Sequence, residues 1–594
     1  MPTGNPSPTG MHSRRPATRG ATAHIVTSER SGREVRIGPL GDFQKFESED
    51  HTVTVWMAGK TFSPDPPEAG RQAIAEYLKE GRRPSPPRFL GRFALIFFDA
   101  LTLRVWLVTD RYGFQPLYRF HAGRVLWLST SLGWLRRSCQ LVGAHDLAAI
   151  GDLMTFKYVL GERTLLKGVS RIPPASIGSA DPETHEMSFA TYWDPVEILA
   201  GDRTPLAAAE ETLINAFVEG VSRVAPRNEK VGLFLSGGLD SRVMLAGVLH
   251  LGLNVIAKTG GIEGGHDHRI SCMLADALGF EHEFGAMNAD YARQFFPMTA
   301  EAARFTDGML LTDGAGHRFE ANNAPVNSPR FFFHGAEGEL ARLRHLHHFP
   351  VDRAVLKARP DEIADVIVNR FLRQHERTRQ VLRADVRSGI GMGPIERLGA
   401  HIRALSERIE PPDVPSVLAI REHARNSVAY SFLTARDRFD FWSPFLAPDY
   451  LDALLRVRTR DRLVSTFHVH LLKRLNPELA GFPESETACR PGRPDWFTKL
   501  PRVWMGIQSR LGSDATKGHE DFAAWLRYMD PPAEEVLLHP ACSLFDPIAI
   551  QALVARSRSG DEGAANEVQR LLTLAVWCRS DLIDPQDAPG AARD

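Results

Sequence analysis

The groups of greatest chemical use in this 594-residue chain sit in Leu235-Ser236-Gly237-Gly238-Leu239-Asp240-Ser241. Two glycines let the backbone come close to a ligand, and the serine hydroxyls and free N–H groups are expected to point outward. At the N-terminus of a helix such a loop binds phosphate, because unpaired N–H groups and the helix dipole both favour an anion. Asp240 puts a carboxylate into this anion site, which makes sense if a cation such as Mg²⁺ bridges it to the phosphates. The loop is not of the Walker type, which needs Lys-Ser/Thr after its glycines.

A second stretch, Phe331-Phe332-Phe333-His334-Gly335-Ala336-Glu337-Gly338-Glu339-Leu340, reads as a buried strand running into a loop. Two glutamates beside an anion site argue for a shared metal; the alternative is two solvated glutamates after a strand. His345, His347 and His348 follow. With no Cys, Asp or Glu at ligand spacing, they read as polar loop residues rather than zinc ligands.

Elements of recognisable period must hold these stretches. Residues 231–235 are short, apolar and bounded by charge, which predicts a buried parallel strand. Residues 242–251 carry Val243, Leu245, Ala246 and Leu249 at helical spacing. A helix over 206–224, with Leu213, Ile214, Phe217 and Val221 on one face, precedes them. A strand over 253–257 and a helix over 270–278, stopped by Gly279, follow. This alternation predicts a doubly wound parallel sheet with ligands at the carboxyl ends of its strands. Gly260 and Gly261 come straight after the second strand and allow close approach of a ligand. Asp267 reads either as a site residue or as a helix N-cap near Ser271.

Residues 23–192 read mainly as strand. Residues 52–57 alternate, 72–79 suggest a short helix, and 92–99 and 104–109 are rich in β-branched and aromatic residues. Residues 342–410 are helical and Arg-rich, with Ile363, Val366, Ile367 and Phe371 on one face. They form either an ordinary surface layer or a basic surface that receives an acidic peptide. Residues 545–577 have helical spacing, broken near Gly560, and are expected to cap the domain.

Composition narrows the class. With 43% hydrophobic and 24% charged residues the chain reads as a soluble globular protein, long enough for two or more domains with their own cores. A net charge of −1 gives no electrostatic case for nucleic acid or an anionic membrane. The cysteines, Cys139, Cys272, Cys489, Cys542 and Cys578, are scattered, which suits a reducing cytoplasm. No apolar run reaches the length of a membrane span. Residues 1–23 read as a disordered tail.

Ser-Gly-Gly-x-Asp-Ser resembles the pyrophosphate loop of the ATP pyrophosphatases, which split ATP between its α and β phosphates and make an acyl-adenylate. Upstream, Gly91-Arg92-Phe93-Ala94 and Asp110-Arg111-Tyr112-Gly113-Phe114-Gln115-Pro116-Leu117-Tyr118 resemble the N-terminal domain of the asparagine synthetases. So do Thr164 to Val169, Arg171-Ile172-Pro173-Pro174 and Tyr192-Trp193-Asp194-Pro195. The resemblance implies an α/β chain of two parts. Residues 24–195 would form a β-rich, class II amidotransferase-like sandwich, and residues 200–594 an ATP-pyrophosphatase synthetase domain with helical additions. Glutamine-using members carry a nucleophilic Cys after the initiator Met. Here the chain reads Met1-Pro2-Thr3 and has no cysteine before Cys139, so the domain is expected to be a retained structural half without glutaminase activity.

The same resemblance implies the site. Leu235, Ser236, Gly237, Gly238, Asp240, Ser241, Lys258, Thr259, Gly260, His334 and Gly335 would bind ATP. Asp240 and Glu339 would hold Mg²⁺. Asp440-Phe441-Trp442-Ser443-Pro444-Phe445-Leu446 would form a remodelled acceptor pocket, and Arg490 or Arg493 would replace the family's catalytic Lys. Members without the nucleophilic Cys include β-lactam-forming synthetases and the macrolactam synthetases of lasso peptides. The Arg-rich stretch suits a peptide, so the expected substrate is a lasso precursor core. A leader peptidase and a leader-recognition protein would be its partners. Other glutamine-independent amide ligases, an ammonia-dependent asparagine synthetase, or a degenerate scaffold are the alternatives.

Overall fold

The structure, a computed structural model, describes residues 24–28, 33–141, 143–180, 187–226, 229–311, 315–485, 489–492 and 522–579. The expected tail over 1–23 and the candidate Arg493 lie outside the described residues.

Alternation explains the first half. Along β4 (Val53–Ser63) and β5 (Leu90–Asp99), Val53, Val55, Met57, Phe93, Leu95 and Phe97 face one way, onto Ala69, Ala73, Ile74 and Tyr77 of the helix Pro66–Lys79. Trp56, Ala94 and Ile96 face the other way and share a core with Val35, Ile37, Leu126 and Leu128 of a second sheet. Residues 93–98 are apolar without a break because both faces of β5 are covered. The antiparallel first sheet runs β11 (Met187–Thr191), β10 (Ser176–Ala180), β6 (Arg104–Thr109), β5, β4, β3 (Phe43–Glu47). The second runs β1 (His24–Ser28), β2 (Arg33–Gly38), β8 (Val125–Ser129), β7 (Tyr118–Ala122), β9 (Ser170–Arg171). The helix starts earlier than the apolar spacing suggests, because Asp65 accepts from Glu68 N and Pro66 opens the first turn.

The turn after β6 is built on Asp110, a buried carboxylate that accepts from the N–H groups of Phe93, Tyr112, Phe114 and Gln115. It carries Arg111 and Tyr112 to the second half of the chain. Arg111 forks onto Asp452 at 2.9 and 3.2 Å, and Tyr112 donates to Leu446 O at 2.7 Å.

The second half contains a wholly parallel sheet in the order β14 (Glu281–Ala286), β13 (Val255–Gly261), β12 (Val231–Phe234), β15 (Phe331–Phe333), β16 (Asp440–Trp442). The chain builds outward from β12 on one side, then returns to add β15 and β16 on the other. That reversal opens a crevice at the carboxyl ends of β12 and β15, where both glycine-bearing loops emerge.

Besides the two cores within the first half, one apolar cluster joins Tyr112, Phe114, Phe156 and Tyr158 to Leu233, Phe332 and Phe441, so a core also runs across both halves. One expectation about packing is corrected. The C-terminal helices, Pro547–Arg558 and Glu562–Cys578, break near Gly560 as the spacing predicts, but the second is a core element rather than a cap. Trp577 is fully buried, with the Arg136 guanidinium 4.8 Å from its ring centre.

Candidate functional site

The helix Leu239–His250 begins directly after Gly238, so residues 235–238 link β12 to a helix N-terminus. The loop is tied from within. Gly237 N donates to Asp267 Oδ1 at 2.7 Å, Gly238 N to Ser236 Oγ at 3.2 Å, and Ser236 N to Ser241 Oγ at 3.1 Å. The expectation of free, outward N–H groups is therefore corrected for these three, which side chains satisfy. Of the two readings of Asp267, the helix N-cap is corrected. Gly265 caps the helix His266–Leu278, while Asp267 both holds the loop and lines the adjoining cavity.

The second loop packs directly on the first. A Cβ on Gly335 would lie 3.0 Å from Ser241 N and 3.2 Å from Asp240 C, so only glycine allows this approach. Gly338 meets Asp240 in the same way, with Oδ1 2.7 Å from where its Cβ would be.

Asp240 does not face solvent unpaired. Arg342 Nε donates to Oδ1 at 3.0 Å and Nη2 to Oδ2 at 2.6 Å, and His468 Nε2 lies 3.0 Å from Oδ1. Burial alone would raise its pKa; Arg342 and His468 overcome this and hold it well below the usual carboxylate range. Arg342, read from sequence as the start of a basic surface layer, is buried here. Glu339 behaves oppositely. Burial and repulsion from Asp240 push its pKa up to about 7, against a hydrogen bond from His347 N to Oε2 at 2.9 Å.

Between the loops lies a cavity of about 520 Å³. Leu235, Ser236, Asp240, Ser241, Lys258, Gly260, His334, Gly335 and Glu339 line it, which brings most of the expected set together. Gly237, Gly238 and Thr259 are not in its lining. Thr259 instead donates to Leu235 O at 2.7 Å, tying neighbouring strands. Lys258 is buried and paired with Glu283. Arg490 is exposed and outside the lining. Its segment comes near through Ser485 N, which donates to Gly237 O at 3.0 Å.

The acceptor-pocket expectation for 440–446 is corrected. Asp440 is buried among Arg92, Arg330 and Lys60, and Trp442 lines a different cavity, of about 750 Å³, between the halves. The first cavity has wall residues that sequence reasoning missed. Lys157 reaches it from the end of the helix Leu147–Phe156, where its φ of +74° closes that helix. Glu320 is buried, its pKa pushed to about 7 by that burial, and its Oε1 has no hydrogen-bond partner among the described residues. Helical spacing could have put Glu320 on the inner face of the helix Ala315–Asn323, but no local pattern links Lys157 to the loop.

Comparisons with known proteins add the following. Residues 73–193 match the model of a glutamine amidotransferase domain. Part of this chain is similar to asparagine synthetases. It is 24% identical over 209 residues to a putative glutamine-hydrolyzing asparagine synthetase of Mycobacterium bovis, covering 34% of this chain and 32% of that one. The corresponding protein of Mycobacterium tuberculosis gives the same figures. The chain thus spans about a third of the length of these relatives. Among solved structures, a glutamine phosphoribosylpyrophosphate amidotransferase from B. subtilis, complexed with ADP and GMP, overlaps 41% of this chain and 48% of its own at 10% identity. Its TM-score of 0.16 carries no argument. Among the described residues, no helix is long and apolar enough to cross a membrane.

Proposed function

We propose that this chain is an ATP-dependent amide synthetase: it adenylates a substrate carboxylate, releases pyrophosphate, and joins the acyl group to an amine. One observation carries the reading. A Ser-Gly-Gly-Leu-Asp-Ser loop at a helix N-terminus and a Gly-bearing loop meet across the strand-order reversal of a parallel sheet, around one cavity. This is where phosphates bind in such sheets. The part-chain similarity to asparagine synthetases agrees with it.

The residues present fit Mg²⁺. Glu339 is a half-buried carboxylate whose ionised form is disfavoured by desolvation and by Asp240, and a divalent cation would relieve that conflict. Asp240 and Glu339 would hold the ion, with Arg342 fixing Asp240. When bound, Mg²⁺ screens triphosphate charge. Ser236 and Ser241, now bonded to loop N–H groups, would yield those groups to phosphate oxygens. Lys157 and Lys258 supply positive charge on the cavity wall, the part sequence reasoning gave to Arg490 or Arg493. Glu320, with a pKa of about 7, has the proton affinity to take the proton an attacking amine loses.

The amine is not ammonia drawn from glutamine. Cys139 ends the helix Leu132–Ser138, and burial pushes its thiol up to about 11, far from a reactive thiolate. The substrate's own amine is the better nucleophile, as in macrolactam closure of a lasso-type peptide. Arg373, Arg377 and Arg387 are exposed on the helical layer and suit an acidic peptide. A synthetic core peptide with an Asp or Glu at ring position, incubated with ATP and Mg²⁺, should become one water lighter by mass spectrometry. An unchanged peptide under conditions where ATP is consumed would overturn the ring-closing substrate.

A further inference from the structure

Three imidazoles converge on the wall of the loop cavity. His347 and His348 line it, and His423 joins them from far along the chain. Ring centres lie 4.2 Å apart for His347 and His348, 5.3 Å for His347 and His423, and 5.4 Å for His348 and His423. One nitrogen of each lies within 4.8 Å of the other two.

The surroundings are built to hold this cluster. His423 sits in the π-helical segment Ala419–Val428, a widened turn of the kind that re-aims side chains at functional sites. Glu337 Oε1 lies 2.8 Å from His423 Nδ1, which fixes the ring and leaves Nε2 for another partner. Glu337 is buried, and its Oε2 has no hydrogen-bond partner among the described residues. Tyr158 packs beneath, edge-on to His348 at 5.8 Å and to His423 at 6.1 Å, with its buried hydroxyl equally unpartnered among the described residues.

We propose that His347, His348 and His423 bind a divalent cation of the zinc type, with Glu337 orienting His423 and a fourth position open to the cavity. Imidazole donors select zinc-like ions over Mg²⁺, which prefers oxygen. Three protein ligands plus one open position is the arrangement of zinc sites that accept water or a substrate donor. Zinc–nitrogen bonds of about 2.0–2.1 Å require the nitrogens to draw in to roughly 3.3 Å, a ring rotation open to the exposed His347. A carboxylate on a ligating histidine's second nitrogen is the usual device for holding such a ring. His347 N also donates to Glu339 Oε2 at 2.9 Å, so this site adjoins the carboxylates without sharing their oxygen ligands.

The test needs no ATP, so it is independent of the amide-synthetase reading. The full chain is stripped with a chelator and titrated with Zn²⁺ against a chromophoric competitor, and with Co²⁺ by visible absorption. The expected result is one equivalent bound, tetrahedral Co²⁺ bands, and no displacement by excess Mg²⁺. Glu337→Gln should weaken Zn²⁺ by about 10–100-fold, and His347→Ala and His423→Ala by more. If His423→Ala fails the circular dichroism check of folding, the exposed His347→Ala decides alone. No stoichiometric Zn²⁺ binding, or wild-type affinity in His347→Ala, would overturn the proposal.

Discussion

Arg342 grips Asp240 with two parallel hydrogen bonds, Nε to Oδ1 at 3.0 Å and Nη2 to Oδ2 at 2.6 Å. The fork turns Asp240 into both a site residue and a structural one. Its removal strands a buried guanidinium, and breaking a buried pair from one side costs about 3–5 kcal/mol. Asp240→Ala is therefore expected to lower the urea midpoint, followed by circular dichroism, and not to leave the fold untouched. Asp240→Asn with Arg342→Met should be less destabilised than Asp240→Ala. Equal stability of Asp240→Ala and wild type would show that the pair is not formed in solution.

Gly335 presents a second test. The space its Cβ would need is backbone of Ser241 and Asp240, which cannot rotate away. Gly335→Ala should push the two loops apart and lower ATP affinity by about tenfold or more, the effect of roughly 1–3 kcal/mol of overpacking. Isothermal calorimetry with ATP and Mg²⁺ reads this directly, and unchanged affinity would mean that the loops do not act together.

Glu320 predicts a pH dependence. Its pKa is raised from 4.5 to about 7, so between those values the folded state holds a proton that the unfolded chain has lost. Stability from this group is full below the unfolded pKa and falls as pH rises through the folded one. Wild-type Tm should drop between pH 5 and pH 8 more than that of Glu320→Gln. The variant should melt higher at pH 8 and close to wild type at pH 5; parallel curves would contradict the buried, protonated carboxyl.

Cys139 gives a negative prediction. With its thiol pKa near 11, it should not support glutamine hydrolysis, and glutamate release should match a no-protein control. Release that disappears in Cys139→Ala would contradict this.

Where local period governs, the fold was legible. The apolar run at 231–235 and the helical spacing after Ser241 marked the loop's position, and alternation at 52–57 with the β-branched and aromatic run at 92–99 marked the sandwich strands. Most of the expected nucleotide-site residues reached the cavity, because loops at the carboxyl ends of parallel strands converge wherever strand order reverses. What sequence could not supply were pairs distant along the chain. Arg342 on Asp240, His468 beside it, and His423 facing His347 and His348 are set by tertiary packing and leave no spacing to read. The pairing of Asp240 with Arg342 gives that carboxylate a structural role beside the site role expected of it. The acceptor role expected of Asp440 failed for a similar reason: a short carboxylate on a buried edge strand pairs with Arg92 and Arg330 of neighbouring elements.

The central claim is adenylation at the Ser236–Ser241 loop. Chromatography of the nucleotide products, after reaction with ATP, Mg²⁺ and a cyclisable peptide, tests it most directly. The account predicts AMP and pyrophosphate in step with amide formed, and a loss of both of about 10²-fold or more in Ser241→Ala, the scale of removing a preorganised electrostatic contact. ADP and phosphate as the stoichiometric products would contradict it.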